Sequence, residues 1–133
     1  MPKQSLSKKA FKKIKKKSVS FWKKKADAVF SIFIRQRGKG ICFTCGLMRT
    51  WKEMQCGHFN SRSHSITRYD EINCQSQCLN CNIWRRGNIP EFALRLDEKY
   101  GLGTASALTI KAREKYQLTV PELQEIITKY KLN

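Results

Sequence analysis

Apolar side chains recur at every third or fourth position over residues 20–37, the spacing that places them on one face of an α-helix. The recurring residues are Trp22, Ala26, Val29, Phe30, Phe33 and Ile34. Gly38-Lys39-Gly40 follows them and favours an end to the helix. The pattern therefore predicts a helix over 20–37.

Shorter patterns follow this predicted helix. Residues 41–56 contain Cys42 and Cys45 three positions apart, with Gly46 after the second cysteine, which is typical of a zinc-knuckle hairpin. A short strand toward Glu53–Cys56 follows. A second short strand near Ile72–Gln77 leads into a helix that runs from about residue 81 to residue 87. Residues 41–87 thus predict two strands followed by a helix.

The last third of the chain predicts three helices. Asn88-Ile89-Pro90-Glu91 and Thr119-Val120-Pro121-Glu122 share a start signature, in which a capping side chain and an early proline are followed by a glutamate that can reach back to the cap. Thr104 is a candidate cap for the middle helix. The three predicted helices span residues 88–101, 104–116 and 120–131. We expect them to form core and scaffold rather than to carry chemistry.

The net charge of the chain indicates more about its partners than the composition does. The 133 residues are most simply one domain with an ordinary 41% of apolar residues, but the formal net charge is +17. Such a surface attracts polyanions, of which nucleic acid is the commonest. Anionic membrane is the rival partner, but the chain has no apolar run of the roughly 18 residues that a spanning helix needs. Lysines also interrupt every candidate signal peptide.

Eleven of the positive charges are lysines in residues 1–25, a segment without any acid. Like charges at this density repel each other, so we predict a flexible arm over residues 1–19, ahead of a single domain over 20–133. The arm is either a solvated tail or a grip on DNA phosphates. In the second case its candidate ligands are Lys12, Lys13, Lys15, Lys16 and Lys17.

Two Cys-x-x-Cys pairs, Cys42/Cys45 and Cys78/Cys81, have the spacing that lets one tight turn supply two zinc ligands. Without a secretory signal, this spacing indicates a reduced, intracellular chain that binds metal rather than a disulfide framework. We therefore predict a structural zinc on four thiolates, which leave the ion no open position. The zinc would clamp the whole intervening stretch, residues 46–77.

The other cysteines and the two histidines carry weaker signals. Cys56 and Cys74 lie outside the paired spacing and are typical of small buried apolar groups. His58 ends a predicted strand and opens a polar, Ser-rich loop over 59–70, where a neutral imidazole can reach solvent and take a proton from water. His64 lies within that loop and is typical of a loop residue.

One asparagine and four arginines complete the candidate chemistry. Asn82 directly follows the last predicted zinc ligand, and its carbonyl oxygen either binds a hard cation such as Mg²⁺ or caps backbone amides. Arg62 and Arg68 belong to the loop after His58 and are candidate phosphate ligands. Arg35 and Arg37 flank the last turn of the first helix, as partners of its dipole or as phosphate ligands.

The order C-x2-C, G-H, N, C-x2-C-N resembles the HNH, or ββα-metal, endonuclease superfamily, and more closely the phage lambda NinG (Rap) recombination endonuclease family. The strings that carry the resemblance are Phe33-Ile34-Arg35-Gln36-Arg37, Cys42-x2-Cys45-Gly46, Gly57-His58-Phe59, Arg68-Tyr69-Asp70-Glu71-Ile72-Asn73, Gln77-Cys78-x2-Cys81-Asn82 and Gly87-Asn88. The resemblance covers roughly residues 26–103 and, more loosely, the helical tail.

This resemblance implies an α+β fold, with a zinc-clamped ββα-metal core over 41–87 between the first helix and a helical tail over 88–133. It also implies nicking of branched DNA, such as Holliday junctions and D-loops, during phage recombination in the cytoplasm of a bacterial host. His58 would be the general base, Asn82 a ligand of a catalytic Mg²⁺ or Mn²⁺, and Asn73 would orient the histidine or brace the loop. Paired nicks hint at a homodimer, and phage or host recombination proteins are further candidate partners.

The chain departs from the superfamily pattern at one position. Many members carry an aspartate before the base histidine as a second metal ligand, whereas this chain has Gly57. Asn82 would then bind the metal weakly unless DNA is present, and His64, Asp70 and Glu71 are candidate helpers. Two other interpretations stay open. One is a non-catalytic, zinc-containing DNA-binding module, and the other is a nuclease of the same type that acts on RNA.

Overall fold

A computed structural model describes residues 17–131 of the chain. Most of the predicted lysine arm over 1–19, including Lys12, Lys13, Lys15 and Lys16, lies outside the described residues. The first described helix, α1, spans Val19–Arg37, which confirms the helix predicted over 20–37. The Ser18 hydroxyl caps its start by accepting a hydrogen bond from the Phe21 amide at 3.4 Å. The Gly38 amide closes its last turn on the Ile34 carbonyl.

Two short strands form an antiparallel pair. Strand β1 spans Gln55–His58 and strand β2 spans Cys74–Gln77, with Gln55 opposite Gln77 and His58 opposite Cys74. Both strands were predicted, but β1 begins two residues later than expected because a short 3-10 helix occupies Trp51–Glu53. A similar 3-10 turn at Ser65–Thr67 interrupts the predicted loop.

The helix predicted after β2 is present but has a different geometry. Residues Asn80–Trp84 form a π-helix, in which the Arg85 amide donates to the Asn80 carbonyl five residues back at 2.8 Å. Such wider turns are rare and are often found at functional sites. The turn begins between the two thiols of the second Cys-x-x-Cys pair.

Three helices complete the described chain: α2 over Ile89–Tyr100, α3 over Thr104–Ala112 and α4 over Val120–Lys131. The bounds of α2 and α4 confirm the prediction. Helix α3 ends four residues before the expected Tyr116, and its N-cap is Gly103 rather than Thr104, whose hydroxyl donates to the Gly101 carbonyl instead.

One of the two predicted capping boxes is wrong. Thr119 and Glu122 bond reciprocally, side chain to backbone amide, as expected. Asn88 takes a left-handed conformation with φ of 49° and makes no side-chain cap. Its side-chain nitrogen Nδ2 lies 3.6 Å from the sulfur of Cys81 instead, because the chain turns sharply from the π-helix into α2.

The core has three apolar parts. Helix α1 packs against the sheet and against α4, and Phe30 and Ile34 meet Cys74 and Tyr130 there. The core continues where the start of α1 meets α4 and the residues before α4, and the buried members there are Ala26, Leu118 and Leu123. A separate cluster forms between α2 and α3 and consists of Phe92, Leu96, Ala105 and Leu108.

The described residues thus form the mixed α+β fold that was predicted. None of the helices within residues 17–131 is long and apolar enough to cross a membrane.

Candidate functional site

The four cysteines of the two Cys-x-x-Cys pairs converge. The sulfur atoms of Cys42, Cys45, Cys78 and Cys81 all lie within 4.8 Å of one another, and those of Cys45 and Cys78 are 3.7 Å apart. Tetrahedral coordination by thiolates with Zn–S bonds of about 2.3 Å needs sulfur–sulfur distances of about 3.8 Å. This donor set can therefore hold a zinc ion, as the spacing predicted.

Hydrogen bonds to sulfur favour the thiolate unequally across the cluster, because burial raises the pKa of Cys45 and of Cys78 while that of Cys42 is lowered. The Cys81 amide donates to the Cys78 sulfur at 3.4 Å, and the Thr44 hydroxyl lies 3.4 Å from the Cys42 sulfur. Burial alone would raise the pKa of Cys42, but the Thr44 hydroxyl and neighbouring backbone amides lower it to about 6. Thiolates are the form in which cysteines bind metal.

A cleft of about 600 Å³ lies between α1, β1 and the π-helix. His58 and Asn82 both line it, although they are 24 positions apart in the sequence. Its other polar walls are formed by Asp27, Arg35, Gln55, Arg62 and Arg86. Three guanidinium groups beside an imidazole and an amide make this cleft suited to a phosphate group.

The imidazole of His58 is held by the backbone of the loop. Its Nε2 lies 3.0 Å from the carbonyl oxygen of Arg68, so Nε2–H is the donor and Nδ1 carries the lone pair. Burial lowers the pKa of His58 below its usual 6.5, and the nearby Arg62 lowers it further. The ring is therefore neutral at neutral pH and able to accept a proton at Nδ1.

The amide of Asn82 is also oriented. Its Nδ2 donates to the Oε1 atom of Gln55 at 2.7 Å, which fixes the side chain and leaves Oδ1 as an acceptor at the cleft. Within residues 17–131, that oxygen accepts no hydrogen bond. An oriented amide oxygen with a free lone pair suits a hard cation that keeps most of its water ligands.

An ion pair at the edge of the cleft positions the Arg68 carbonyl. The Arg68 guanidinium donates to both carboxylate oxygens of Asp27, at 3.0 and 2.6 Å, and the Tyr69 hydroxyl donates to the same carboxylate at 2.9 Å. Only 14% of the Arg68 side chain is exposed. Arg68 thus contributes its carbonyl to His58, while its charge is engaged by Asp27.

The other arginines divide into two groups. Arg37 donates to the carbonyl oxygens of Glu71 and Cys74 and to the Gln75 amide oxygen, so it fastens α1 to β2. Arg35 and Arg62 line the cleft. Arg62 lies 3.6 Å from Asp27, but 61% of its side chain is exposed, so it can turn to a ligand. Lys17, the one arm lysine that is described, is exposed beside the Phe21 ring.

Among the charged and amide side chains that line the cleft, sequence reasoning missed Asp27, Gln55 and Arg86. Asp27 had a signal, since it is the first acidic residue of a lysine-rich chain and lies next to the apolar face of α1. Arg86 also had one, because it follows Asn82 by one helical turn. Gln55 had none, because its role depends on the pairing of the strands.

Asn73 is fully buried and braces the loop after His58. Its Oδ1 accepts hydrogen bonds from the backbone and side-chain amides of Asn60, at 2.9 and 3.0 Å. Its Nδ2 donates to the carbonyl oxygens of Asn60 and Thr67, both at 3.1 Å. Of the two roles that the resemblance implied, these contacts match the brace. The brace holds the loop that presents the Arg68 carbonyl.

The three residues that were candidates to assist Asn82 in metal binding contact other parts of the fold. His64 Nδ1 lies 3.1 Å from the Ala112 carbonyl and ties the loop to α3. Asp70 is paired with Lys111 at 3.0 Å, and Glu71 accepts from the Tyr130 hydroxyl at 3.0 Å. Both acids line a separate cleft beside α4.

Close packing explains the glycine before His58. A Cβ atom on Gly57 would lie 1.9 Å from the Oε1 atom of Gln77. Gln77 is itself fixed, because its Nε2 donates to the Thr44 hydroxyl and to the Gly87 carbonyl. The position has no room for the aspartate that many members of the superfamily carry.

Comparison with known proteins gives one family. The model of a family described as "Bacteriophage Lambda NinG protein" matches residues 2–133. The proteins called "Protein ninG" of Salmonella phage P22 and Escherichia phage 933W are 27% and 28% identical to the chain over 121 residues. The protein of the same name from Escherichia phage lambda is 26% identical over 121 residues.

These alignments cover 90% of the chain but only 58–59% of each relative, so the chain spans well under two thirds of their length. No solved structure matches the fold significantly.

Proposed function

The chain belongs to the NinG family, and from that premise we propose that it is a metal-dependent DNA endonuclease that nicks branched recombination intermediates. The observation that carries the proposal is the arrangement in the cleft. A neutral imidazole, fixed through Nε2 by the Arg68 carbonyl, shares that cleft with the oriented amide of Asn82 and three arginines. We further assign β1, β2 and the π-helix to the ββα-metal unit of the HNH superfamily. The order strand, strand, helix supports this, with His58 ending β1 and Asn82 in the helix.

The reaction follows from the state of His58. Its Nδ1 takes a proton from a water molecule, and the water oxygen attacks the phosphorus in line with the 3′ oxygen. The bond between phosphorus and the 3′ oxygen breaks, which leaves a 5′ phosphate and a 3′ oxygen anion that takes a proton from solvent to become the 3′ hydroxyl. Burial keeps the imidazole neutral before the reaction, and the Arg68 carbonyl stabilises the imidazolium that forms.

The arginines of the cleft position the phosphate. Arg35, Arg62 and Arg86 can donate to its non-bridging oxygens. Two contacts fix the guanidinium of Arg35: its Nε donates to the Ser31 hydroxyl, and the group stacks over the Trp51 ring at 5.3 Å. Asp27 neutralises Arg68, so the net charge of the cleft stays positive.

The Asn82 carbonyl oxygen is the ligand that we propose for Mg²⁺ or Mn²⁺. When bound, the ion would neutralise charge on the phosphate and on the leaving oxygen. A single protein ligand fits an ion that is otherwise coordinated by water and phosphate. We therefore expect metal affinity in this cleft to be low without DNA.

Branched DNA is the proposed partner because the basic surface extends beyond the cleft. The lysines at the start of the chain, Lys12, Lys13, Lys15, Lys16 and Lys17, are proposed to contact neighbouring duplex arms. Resolution of a four-way junction takes two nicks, so we propose that two copies of the chain act on one junction.

The test is nicking of a labelled Holliday junction, a D-loop and a matched linear duplex by zinc-loaded protein in Mg²⁺. His58→Ala should lower the rate by about 10²–10⁴-fold, the usual contribution of a general base. His64→Ala is the matched control. It removes the other histidine, which contacts the Ala112 carbonyl outside the cleft, and should leave nicking unchanged.

Two results would overturn the proposal. Tight binding of branched DNA without Mg²⁺-dependent or Mn²⁺-dependent cuts would leave a non-catalytic zinc-containing binding module. Faster cleavage of an RNA competitor than of branched DNA would keep the chemistry but change the substrate.

A further inference from the structure

The sheet carries a second group of metal-binding side chains, apart from the four-cysteine cluster. Cys56 and His58 are two positions apart on β1, so their side chains lie on the same face. Cys74 is the cross-strand partner of His58 in β2 and shares that face. The two sulfur atoms and a ring nitrogen of His58 all lie within 4.8 Å of one another.

We propose that Cys56, His58 and Cys74 form a second site for a thiophilic divalent metal ion of the zinc class, and that the bound ion inhibits the enzyme. Two thiolates and one imidazole are a ligand set that zinc accepts with a water molecule in the fourth position. Coordination at about 2.3 Å from sulfur and 2.0 Å from nitrogen would need the three ligand atoms to close by about 1 Å. The side chains of Cys56 and His58 can supply this movement because both are only partly buried.

The surroundings shelter the site and leave it an entry path, although burial raises the pKa of the Cys74 thiol, so a bound ion has to displace its proton. Cys74 is fully buried against Phe30 and Ile34, which shield a bound ion from water on the inner side. Cys56 and His58 line the cleft on the outer side and so provide an entry path. Simple burial of two small apolar thiols would not require a histidine beside them or an opening to solvent.

Inhibition follows from the identity of the third ligand and rests on the proposed function of His58. A ring nitrogen that binds zinc cannot also take part in proton transfer at the cleft. The current contact of Nε2 with the Arg68 carbonyl would also be lost or redirected if that nitrogen became the ligand. Hard cations prefer the Asn82 oxygen and borderline or soft cations prefer thiolates, so Mg²⁺ and excess Zn²⁺ would have opposite effects.

The first experiment measures metal content and does not depend on nuclease activity. Purified full-length protein is equilibrated with excess Zn²⁺ or Cd²⁺, desalted and analysed by mass spectrometry of the metal. We expect two ions per wild-type chain and one per Cys56→Ser chain. A single ion in both proteins would overturn the proposal.

Protection of the thiol gives a second readout that needs no variant. Cys56 in the wild-type protein should react with iodoacetamide when only one ion is bound, and Cd²⁺ at two equivalents should slow the reaction at least tenfold. Equal rates of alkylation at one and two equivalents would mean that the second ion binds elsewhere.

The inhibition is tested by nicking in Mg²⁺ with added Zn²⁺. The rate of each protein at each zinc concentration is divided by its own rate without added zinc, and on this scale Cys56→Ser should need at least tenfold more zinc than wild type for half inhibition. Equal inhibition of both proteins would mean that zinc acts at Asn82, which would refute the regulatory part alone. If no substrate is nicked, the proposed function fails while the metal content still decides whether the site exists.

Discussion

The two metal-binding groups of this chain differ in how the fold builds them. The four thiols of Cys42, Cys45, Cys78 and Cys81 come from two tight turns. Among residues 17–131, the buried cluster there adds Met54 to three of these cysteines, and Cys45 is exposed. The group of Cys56, His58 and Cys74 lies on the sheet face that packs against α1, beside the aromatic side chains of the main core. The first group thus lies where apolar packing is sparse, and the second where it is dense.

Because of this difference, we expect the ion of the four-cysteine cluster and the ion of the second group to have different roles. Where side-chain burial is small, the free energy of metal binding has to stabilise the local fold. Where helices already bury the sheet face, the fold does not need the metal, and the ion is free to act on function. We therefore expect loss of the first ion to unfold part of the chain and loss of the second to leave the fold intact.

The largest effect should come from breaking the four-cysteine cluster. Cys78→Ser removes a ligand at the junction of β2 and the π-helix, so zinc binding worth about 10 kcal/mol or more would be lost. We expect residues 41–87 to lose protection from hydrogen exchange and nicking to disappear. Cys56→Ser is the control, and hydrogen exchange that matches wild type is expected for it. Retained protection in Cys78→Ser would mean that packing, not metal, holds this part of the chain.

The next effect concerns the packing of Gly57 against Gln77, which links the sheet to the four-cysteine cluster. Gly57→Ala would force Gln77 away from Thr44, whose hydroxyl also contacts the Cys42 sulfur. Overpacking of this kind costs about 1–3 kcal/mol, measured as a loss in the free energy of unfolding by urea. In the double variant Gly57→Ala/Gln77→Ala the two costs should not add, because the clash is gone. Strict additivity would show that the two side chains do not compete for the space.

An effect of similar size is expected at the ion pair between Asp27 and Arg68. Asp27→Asn weakens the bond to Arg68 and should cost about 1.5–3 kcal/mol in the free energy of unfolding. The negative charge of Asp27 also raises the pKa of His58, so its removal should move the acid limb of the nicking rate to lower pH.

The matched control for this variant is Glu91→Gln, which breaks the exposed pair with Arg95. It should cost less than about 1 kcal/mol and leave the pH profile in place. An unchanged acid limb in Asp27→Asn would limit Asp27 to a structural role.

The smallest effect is the pH dependence of the wild-type protein itself. The base form of His58 is the neutral one, and burial lowers its pKa below 6.5. The nicking rate should therefore rise with pH, reach half of its plateau below pH 6.5, and stay constant through neutral pH. A midpoint above pH 7 would indicate that another group, or the metal-bound substrate, limits the reaction.

The sequence determined the parts of this protein that depend on neighbours along the chain. The apolar periodicity before Gly38 predicted α1, and the Thr119 capping box predicted the start of α4. The Cys-x-x-Cys spacing predicted the four-cysteine cluster, because each pair needs only one tight turn. The predicted side-chain cap at Asn88 is wrong because of the element that precedes it. Its local signature is correct, but the π-helix before it places its side chain beside Cys81.

The sites formed by residues far apart in the sequence depend on the tertiary structure. The pairing of β1 with β2 brings Cys74 opposite His58, and no spacing in the sequence reveals that register. The packing of α1 on the sheet brings Asp27 to the guanidinium of Arg68, 41 positions away, and the carbonyl of Arg68 contacts His58. Local patterns encode turns and helix ends because those depend on backbone geometry over a few residues. A site assembled from a helix and two strands depends on packing, which the whole chain determines together.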